Sequence, residues 1–161
     1  MPRLGFSIVP LDPFKVPHQS ALEAVERQCK SEFSPLFTEI KIYDIPHLII
    51  SGENEVCMSC PKCGELDTEY KWLDLLPPDY KKSDVPQKSL SFESLMPCCN
   101  QNVRIFDFNF EYPSKSIEKG AGFASAEVCI TETSTRNLNS QDIESFSEIM
   151  GCPVGAIMVT S

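Results

Sequence analysis

Hydrophobic and polar residues alternate at the start of the chain, where Leu4, Phe6 and Ile8 share one face of a short strand that Pro10 ends. Residues 11–17, with Pro13 and Pro17, read as an extended connection. The period then changes from two to 3.6. Ser20 and Glu23 form the S-x-x-E pattern of a capping box. Leu22, Val25 and Cys29, with Ala21 and Ala24, fall on one face of a helix over about 21–30. Residues 37–43 and 47–50 read as one or two strands interrupted by Pro46.

From 51 to about 101 the pattern changes character. This block holds five of the eight cysteines, the Pro77-Pro78 stop and the single tryptophan, Trp72. Leu66, Tyr70, Leu73 and Leu76 stand at helical spacing and predict a short amphipathic helix over about 66–76, followed by a polar loop over 79–90. Alternation then returns. Phe106, Phe108, Phe110 and Tyr112 share one face of a predicted strand, with Asp107, Asn109 and Glu111 on the other, until Pro113. A strand over about 123–133 sets Ala124, Ala126, Val128 and Ile130 on one side. Asn139 or Ser140 opens a helix whose Ile143, Phe146, Ile149 and Met150 face inward, and Gly151 is placed to end it. Residues 154–160 form a last strand. No internal repeat is visible. The predicted order is β-α-β, insert, β-β-α-β: an α+β fold with two helices on a mostly antiparallel sheet. It reads as a single domain, 1–161, carrying a zinc-ribbon-like module inserted over 51–101.

Composition adds bounds. With 161 residues and 42% hydrophobic content the chain can bury a real core. No apolar run approaches the roughly 18–20 residues that span a bilayer. The first residues lack a secretory pattern, so a cytoplasmic setting without membrane contact is expected. The net charge of −9 is uneven. Residues 1–50 carry 5 basic and 6 acidic side chains, 51–100 carry 5 and 9, and 101–161 carry 4 and 8. Such a field repels phosphate backbones and no Lys/Arg stripe offsets it, so a basic protein is a better partner than nucleic acid.

Eight cysteines without an export signal point to metal rather than disulfides. Cys57-Met-Ser-Cys60-Pro-Lys-Cys63-Gly64 contains two overlapping C-x-x-C pairs, of which Cys60-Pro-Lys-Cys63-Gly64 is the better zinc knuckle. Its proline stiffens the turn, and its glycine permits the positive φ that lets backbone N–H groups point at thiolates. Pro97-Cys98-Cys99-Asn100 supplies a second donor pair, with 34 residues between Cys63 and Cys98 where ribbons commonly leave about 15–20. Three outcomes compete, in this order: Cys60, Cys63, Cys98 and Cys99 bind one zinc ion; Cys57, Cys60 and Cys63 bind it with one of the later pair; or no metal binds. Four thiolates leave no open position for substrate, so the Zn2+ would be structural. Cys29, Cys129 and Cys152 lie in apolar elements and read as small core residues.

Catalytic signals are absent. His18 and His47, the only histidines, have no sequence neighbour that completes a nucleophile–base pair, and no phosphate-cradling or nucleophile-elbow motif occurs. Gly120-Ala-Gly122 reads as a turn. The row of Asp107, Asn109 and Glu111 reads as a solvated strand face rather than a metal site. The aromatic row beside it lacks the cations of a base-stacking platform and reads as core.

Together these motifs resemble a set of uncharacterised bacterial proteins. Their shared outline is a G-F-x-[IV]-V-P strand, a C-P-x-C-G knuckle with a nearby tryptophan, a P-C-C turn running into an aromatic strand, and a terminal helix–G-C–strand. Here these are residues 5–10, 60–64, Trp72, 97–99, 106–113 and 150–160. Asn100 stands where that outline has glycine, and Cys57 is an additional cysteine. The resemblance implies the metal and the layout; it carries no activity. The expected function is therefore a non-catalytic, acidic protein-binding module with a structural zinc, in concrete form an immunity-type inhibitor of a basic toxin. An enzyme with a dispersed active site, a zinc-ribbon nucleic-acid binder, and a redox or metal-sensing role for Cys57 are the alternatives.

Overall fold

The change of period along the chain is reproduced in the computed structural model, which describes residues 4–50, 56–67, 72–76, 92–110, 117–131 and 137–160. Strand β1 (Leu4–Pro10) leads to helix α1 (Gln19–Phe33) and strand β2 (Phe37–Ile50). Five short strands follow: β3 (Met58–Ser59), β4 (Glu93–Leu95), β5 (Asn102–Arg104), β6 (Asn109–Phe110) and β7 (Glu118–Lys119). Then come β8 (Ala121–Thr131), helix α2 (Ser140–Met150) and β9 (Val154–Thr160). Two compact units divide the chain, Met1–Asn54 with Tyr112–Ser161 and Glu55–Glu111.

The first unit is a five-stranded sheet in the order β2-β8-β1-β9-β7. All neighbours are antiparallel except β7 and β9, so the sheet is mixed and the class is α+β. Its four long strands have the split β-α-β arrangement: β1 and β2 run the same way, joined through α1, with β8 between them. Phe6, Ile8, Ala126, Val128 and Ile130 pack with Leu22, Val25, Cys29 and Phe33 of α1 and with Phe146 and Met150 of α2. The Phe6 and Phe33 rings meet edge-on with centroids 5.1 Å apart. Each such fully buried aliphatic or aromatic side chain is worth about 1.5–3 kcal/mol relative to exposure.

Ala124 departs from its expected row and joins Val9, Ile49 and Ile157 in a second cluster. The cause lies in the partner strand. Ile42 pairs with Ala126 but His47 with Ala124, so four residues of β2 oppose one of β8. Pro46, which has no N–H to give a ladder, falls in that bulge. Residues 37–50 are therefore one strand with a kink. Gly122 belongs to β8 rather than to a turn.

The helix ends show one correction and one agreement. The Ser20–Glu23 capping box does not form, because α1 begins earlier. His18 is the N-cap, and its Nδ1 accepts from the Ser20 backbone N–H at 3.2 Å. At α2, Asn139 accepts from the Asp142 N–H while the Asp142 carboxylate accepts from the Asn139 N–H, a complete capping box. Gly151 ends α2 at φ 69°.

The second unit differs most from expectation. Leu66 lies in an isolated bridge with Ser59, and among the described residues of 66–76 the helical structure is a 3-10 turn at Trp72–Leu75; Tyr70 and residues 79–90 lie outside the described residues. The aromatic row is not one strand. Ile105–Asp107 forms a 3-10 turn and only Asn109–Phe110 is extended, so Phe106, Phe108 and Phe110 are all buried without sharing a pleat. Trp72 is buried, donates its indole N–H to the Val56 carbonyl at 2.7 Å and meets the Phe110 ring edge-on. No helix among the described residues is long and apolar enough to cross a membrane.

Candidate metal centre

Two hairpin loops in the second unit build the site. In the first, Ser59 at the end of β3 bridges to Leu66, enclosing residues 60–65. In the second, Leu95 of β4 pairs with Asn102 of β5, enclosing residues 96–101. The two loops close with the same bonds. The Cys60 N–H donates to the Glu65 carbonyl and the Gly64 N–H to the Cys60 carbonyl; the Met96 N–H donates to the Gln101 carbonyl and the Asn100 N–H to the Met96 carbonyl. All four bonds are 2.8–3.0 Å long. The fifth residue of each loop has positive φ, 76° at Gly64 and 56° at Asn100. Glycine adopts that region freely, and asparagine is among the few other residues that tolerate it. C-P-K-C-G-E and M-P-C-C-N-Q are thus one loop used twice, a repeat not visible in the sequence read alone.

Cys60, Cys63, Cys98 and Cys99 come together with their sulfurs all within 4.8 Å of one another. Cys60 Sγ lies 3.9 Å from Cys99 Sγ, and Cys63 Sγ 3.3 Å from Cys98 Sγ. Both distances are far beyond a disulfide bond, and all eight cysteines are free thiols. Four sulfurs at about 2.3 Å from a tetrahedral centre would stand about 3.8 Å apart, so the cluster has the size a metal ion needs. Cys57 is not part of it.

Proton chemistry within the cluster is in conflict. Burial opposes ionisation of Cys60, but the backbone N–H groups of Cys63 and Lys62, then the Cys98 and Cys63 thiols, outweigh it and bring Cys60 down to about 7. Lys62 N lies 3.4 Å from Cys60 Sγ. Burial pushes Cys98 well above the ordinary thiol range, and its contacts with Cys63, Cys60 and Cys99 add to this. The Gln101 N–H favours a Cys99 thiolate, but desolvation and the Cys60 sulfur leave that thiol raised. The protein alone favours the Cys60 anion and opposes those of Cys98 and Cys99. A cation at their centre removes the conflict, because it stabilises all four thiolates together.

The other singled-out residues lie elsewhere. Asp107 is exposed and accepts twice from the Arg104 guanidinium, at 2.8 and 3.2 Å, so it serves a surface ion pair; Asn109 is exposed, and Glu111 lies outside the described residues. Cys29 is fully buried and Cys152 packs against the first unit's core. Cys129 is only half-buried and lies on the polar side of β8, where burial raises its thiol while the Ser7 hydroxyl opposes the rise. His18 caps α1, and His47 stacks on Tyr43 with centroids 4.1 Å apart.

Sequence reasoning missed Glu127. The residue is 4% exposed, and its carboxylate accepts from the Ser7 hydroxyl at 2.9 Å and the Tyr43 hydroxyl at 2.6 Å, tying β1, β2 and β8 together on one sheet face. The signal was a lone acid inside the otherwise small and apolar run 121–131.

A scan against protein-family models finds no match, and searches of curated proteins and of solved structures find none either. Four clustered cysteines able to hold a metal ion, carried by an α+β protein, define the chain at this level.

Proposed function

We propose that residues 55–111 form a zinc-ribbon module in which Cys60, Cys63, Cys98 and Cys99 hold one structural Zn2+, and that the protein is a non-catalytic, acidic protein-binding module. The observation that carries the metal reading is the four-sulfur cluster at tetrahedral scale. Thiolate donors in that number suit zinc or iron, and zinc is the redox-silent, structural choice. With all four positions taken by cysteine the ion has no vacancy for water or substrate, so its role is to shape the fold.

A net charge of −9 favours a basic partner, recruited quickly through long-range attraction. An immunity-type inhibitor that covers a basic toxin in the cytoplasm of a bacterial cell is the concrete form of this reading. Elemental analysis of untagged protein prepared without chelator tests the metal: one zinc per chain is expected, and metal-free protein with an intact second unit overturns it. Reconstitution with purified basic proteins encoded beside it tests the partner. Tight, salt-sensitive association is expected, and no association at low salt rejects the reading.

An enzyme with a dispersed site is the second reading, and the Glu127 hub with Ser7, Tyr43, His47 and Cys129 favours it. A turnover assay in which Glu127→Gln abolishes activity without unfolding would replace the first reading with this one.

A further inference from the structure

Strand β2 ends the strand order of the first unit's sheet, and among the described residues its only strand partner is β8. A sheet edge without a second strand partner among the described residues is a template for another strand, and proteins that keep such an edge single blunt it with charge, proline or bulges. Here Pro46 and the bulge guard only the second half. The first half carries large exposed apolar side chains, Phe37 at 55% and Ile42 at 52% with Leu36 just before it at 74%, and a single pair of opposite charges, Glu39 and Lys41.

Side chains alternate along this half. Phe37, Glu39, Lys41 and Tyr43 share one face; Thr38, Ile40 and Ile42 share the other. We propose that β2 pairs antiparallel with β2 of a second copy of this chain about a two-fold axis at Ile40, joining two sheets into one. In that register Glu39 of each copy faces Lys41 of the other, Phe37 faces Tyr43, and Thr38 faces Ile42. The charge pattern selects it. Moving the axis to Glu39 sets Glu39 against its own copy, and moving it to Lys41 does the same with lysine; like charges directly opposite destabilise a pair. An axis between two residues places the two faces of the strand in opposition. Only the centre at Ile40 opposes Glu39 and Lys41. Within one chain these two already sit 3.7 Å apart with both side chains substantially exposed, available to a second partner. The interface is isologous, as a closed dimer requires.

Light scattering on the eluting full-length, metal-loaded protein tests this. The wild type is expected at twice the 18.0 kDa chain mass. Glu39→Lys and Lys41→Glu each set two like-charged pairs across the axis and should weaken dimerisation by about tenfold or more. The double swap, Glu39→Lys with Lys41→Glu, restores both pairs and should restore the dimer. Mixing the two single variants should also yield a dimer, because one strand is then wholly acidic at these positions and the other wholly basic. This mixture guards against misreading a variant weakened by the new acid near Glu127. A monomeric wild type at high micromolar concentration overturns the proposal. So do single variants that dimerise as well as wild type, or a double swap and a mixture that both stay monomeric.

Discussion

Met96 stands in the second cysteine hairpin where Cys60 stands in the first: both N–H groups donate to the carbonyl five residues on, and both carbonyls accept from the N–H four residues on. The first hairpin therefore offers sulfur from its first and fourth positions, the second from its third and fourth. Cys98 supplies the sulfur to the cluster that the buried Met96 does not. Cys98→Ala should lower metal affinity by about a hundredfold or more, given the size of structural zinc binding energies. Adding Met96→Cys should recover most of that loss. Competition with a metallochromic chelator reads both.

Asn100 holds the positive φ that Gly64 holds in its twin. Asn100→Gly is expected to bind metal as well as wild type or better. Asn100→Val places a β-branched residue where L side chains lose about 1–2 kcal/mol, and should weaken affinity by about tenfold. The same competition assay compares them.

Trp72, the chain's single tryptophan, is buried in the unit that carries the cysteines. Under the zinc-ribbon proposal, metal binding and folding of that unit are coupled through the thiolates. Stripping the metal with a strong chelator should shift the indole emission to the red, and readdition of Zn2+ should reverse it. An unmoved spectrum on complete metal removal would separate folding from the ion.

Tyr43 is held well above its ordinary pKa of 10.0 by burial first and by the hydrogen bond to Glu127 second. The unfolded tyrosine ionises near pH 10 while the folded one keeps its proton. Its contribution is therefore full below pH 10 and is lost as pH climbs toward the raised native value. Tyr43→Phe should cost about 1–3 kcal/mol at neutral pH, by leaving Glu127 short of a donor, and should flatten the alkaline fall in stability. Urea unfolding across about pH 8–11 checks both, with the variant as reference.

Gly5 pairs with Thr131, and a Cβ there would run into the Ile130 carbonyl oxygen. That obstacle is backbone, so Gly5→Ala must part β1 from β8 and should destabilise by about 3 kcal/mol. Gly122→Ala is the control: its Cβ would meet only the tip of Ile157 at 3.0 Å, which can swing aside. Denaturant midpoints should rank the two in that order.

Periodicity carried the first unit well. Leu22, Val25 and Cys29 on α1, Phe146 and Met150 on α2, and Ala126, Val128 and Ile130 on β8 lie in the core as their spacing requires. Burial on one side of a regular element writes itself directly into sequence. The bulge at Pro46 did not show, because its effect on Ala124 depends on a strand more than 70 residues away. In the second unit the same rules failed. Phe106, Phe108 and Phe110 alternate like a strand, yet a 3-10 turn takes in Phe106 and ends at Phe108, leaving Phe110 alone in a strand, since short irregular segments can hide apolar side chains without any period. The four cysteines were legible through the loops that hold them, because proline and a positive-φ residue mark such turns. The repeat behind them was masked by Met96, which keeps the loop while dropping the cysteine.

Ile50 and Ala121 face each other across β2 and β8, so the chain, brought back to the sheet at Glu118 of β7, stands three residues later opposite the point where it left. Loop closure depends on the logarithm of contour length, and a long excursion costs little more than a modest one. A polypeptide that lost its ion and melted over that excursion would become a slack tether fastened at both feet. The sheet and helices of the first unit need not register the loss.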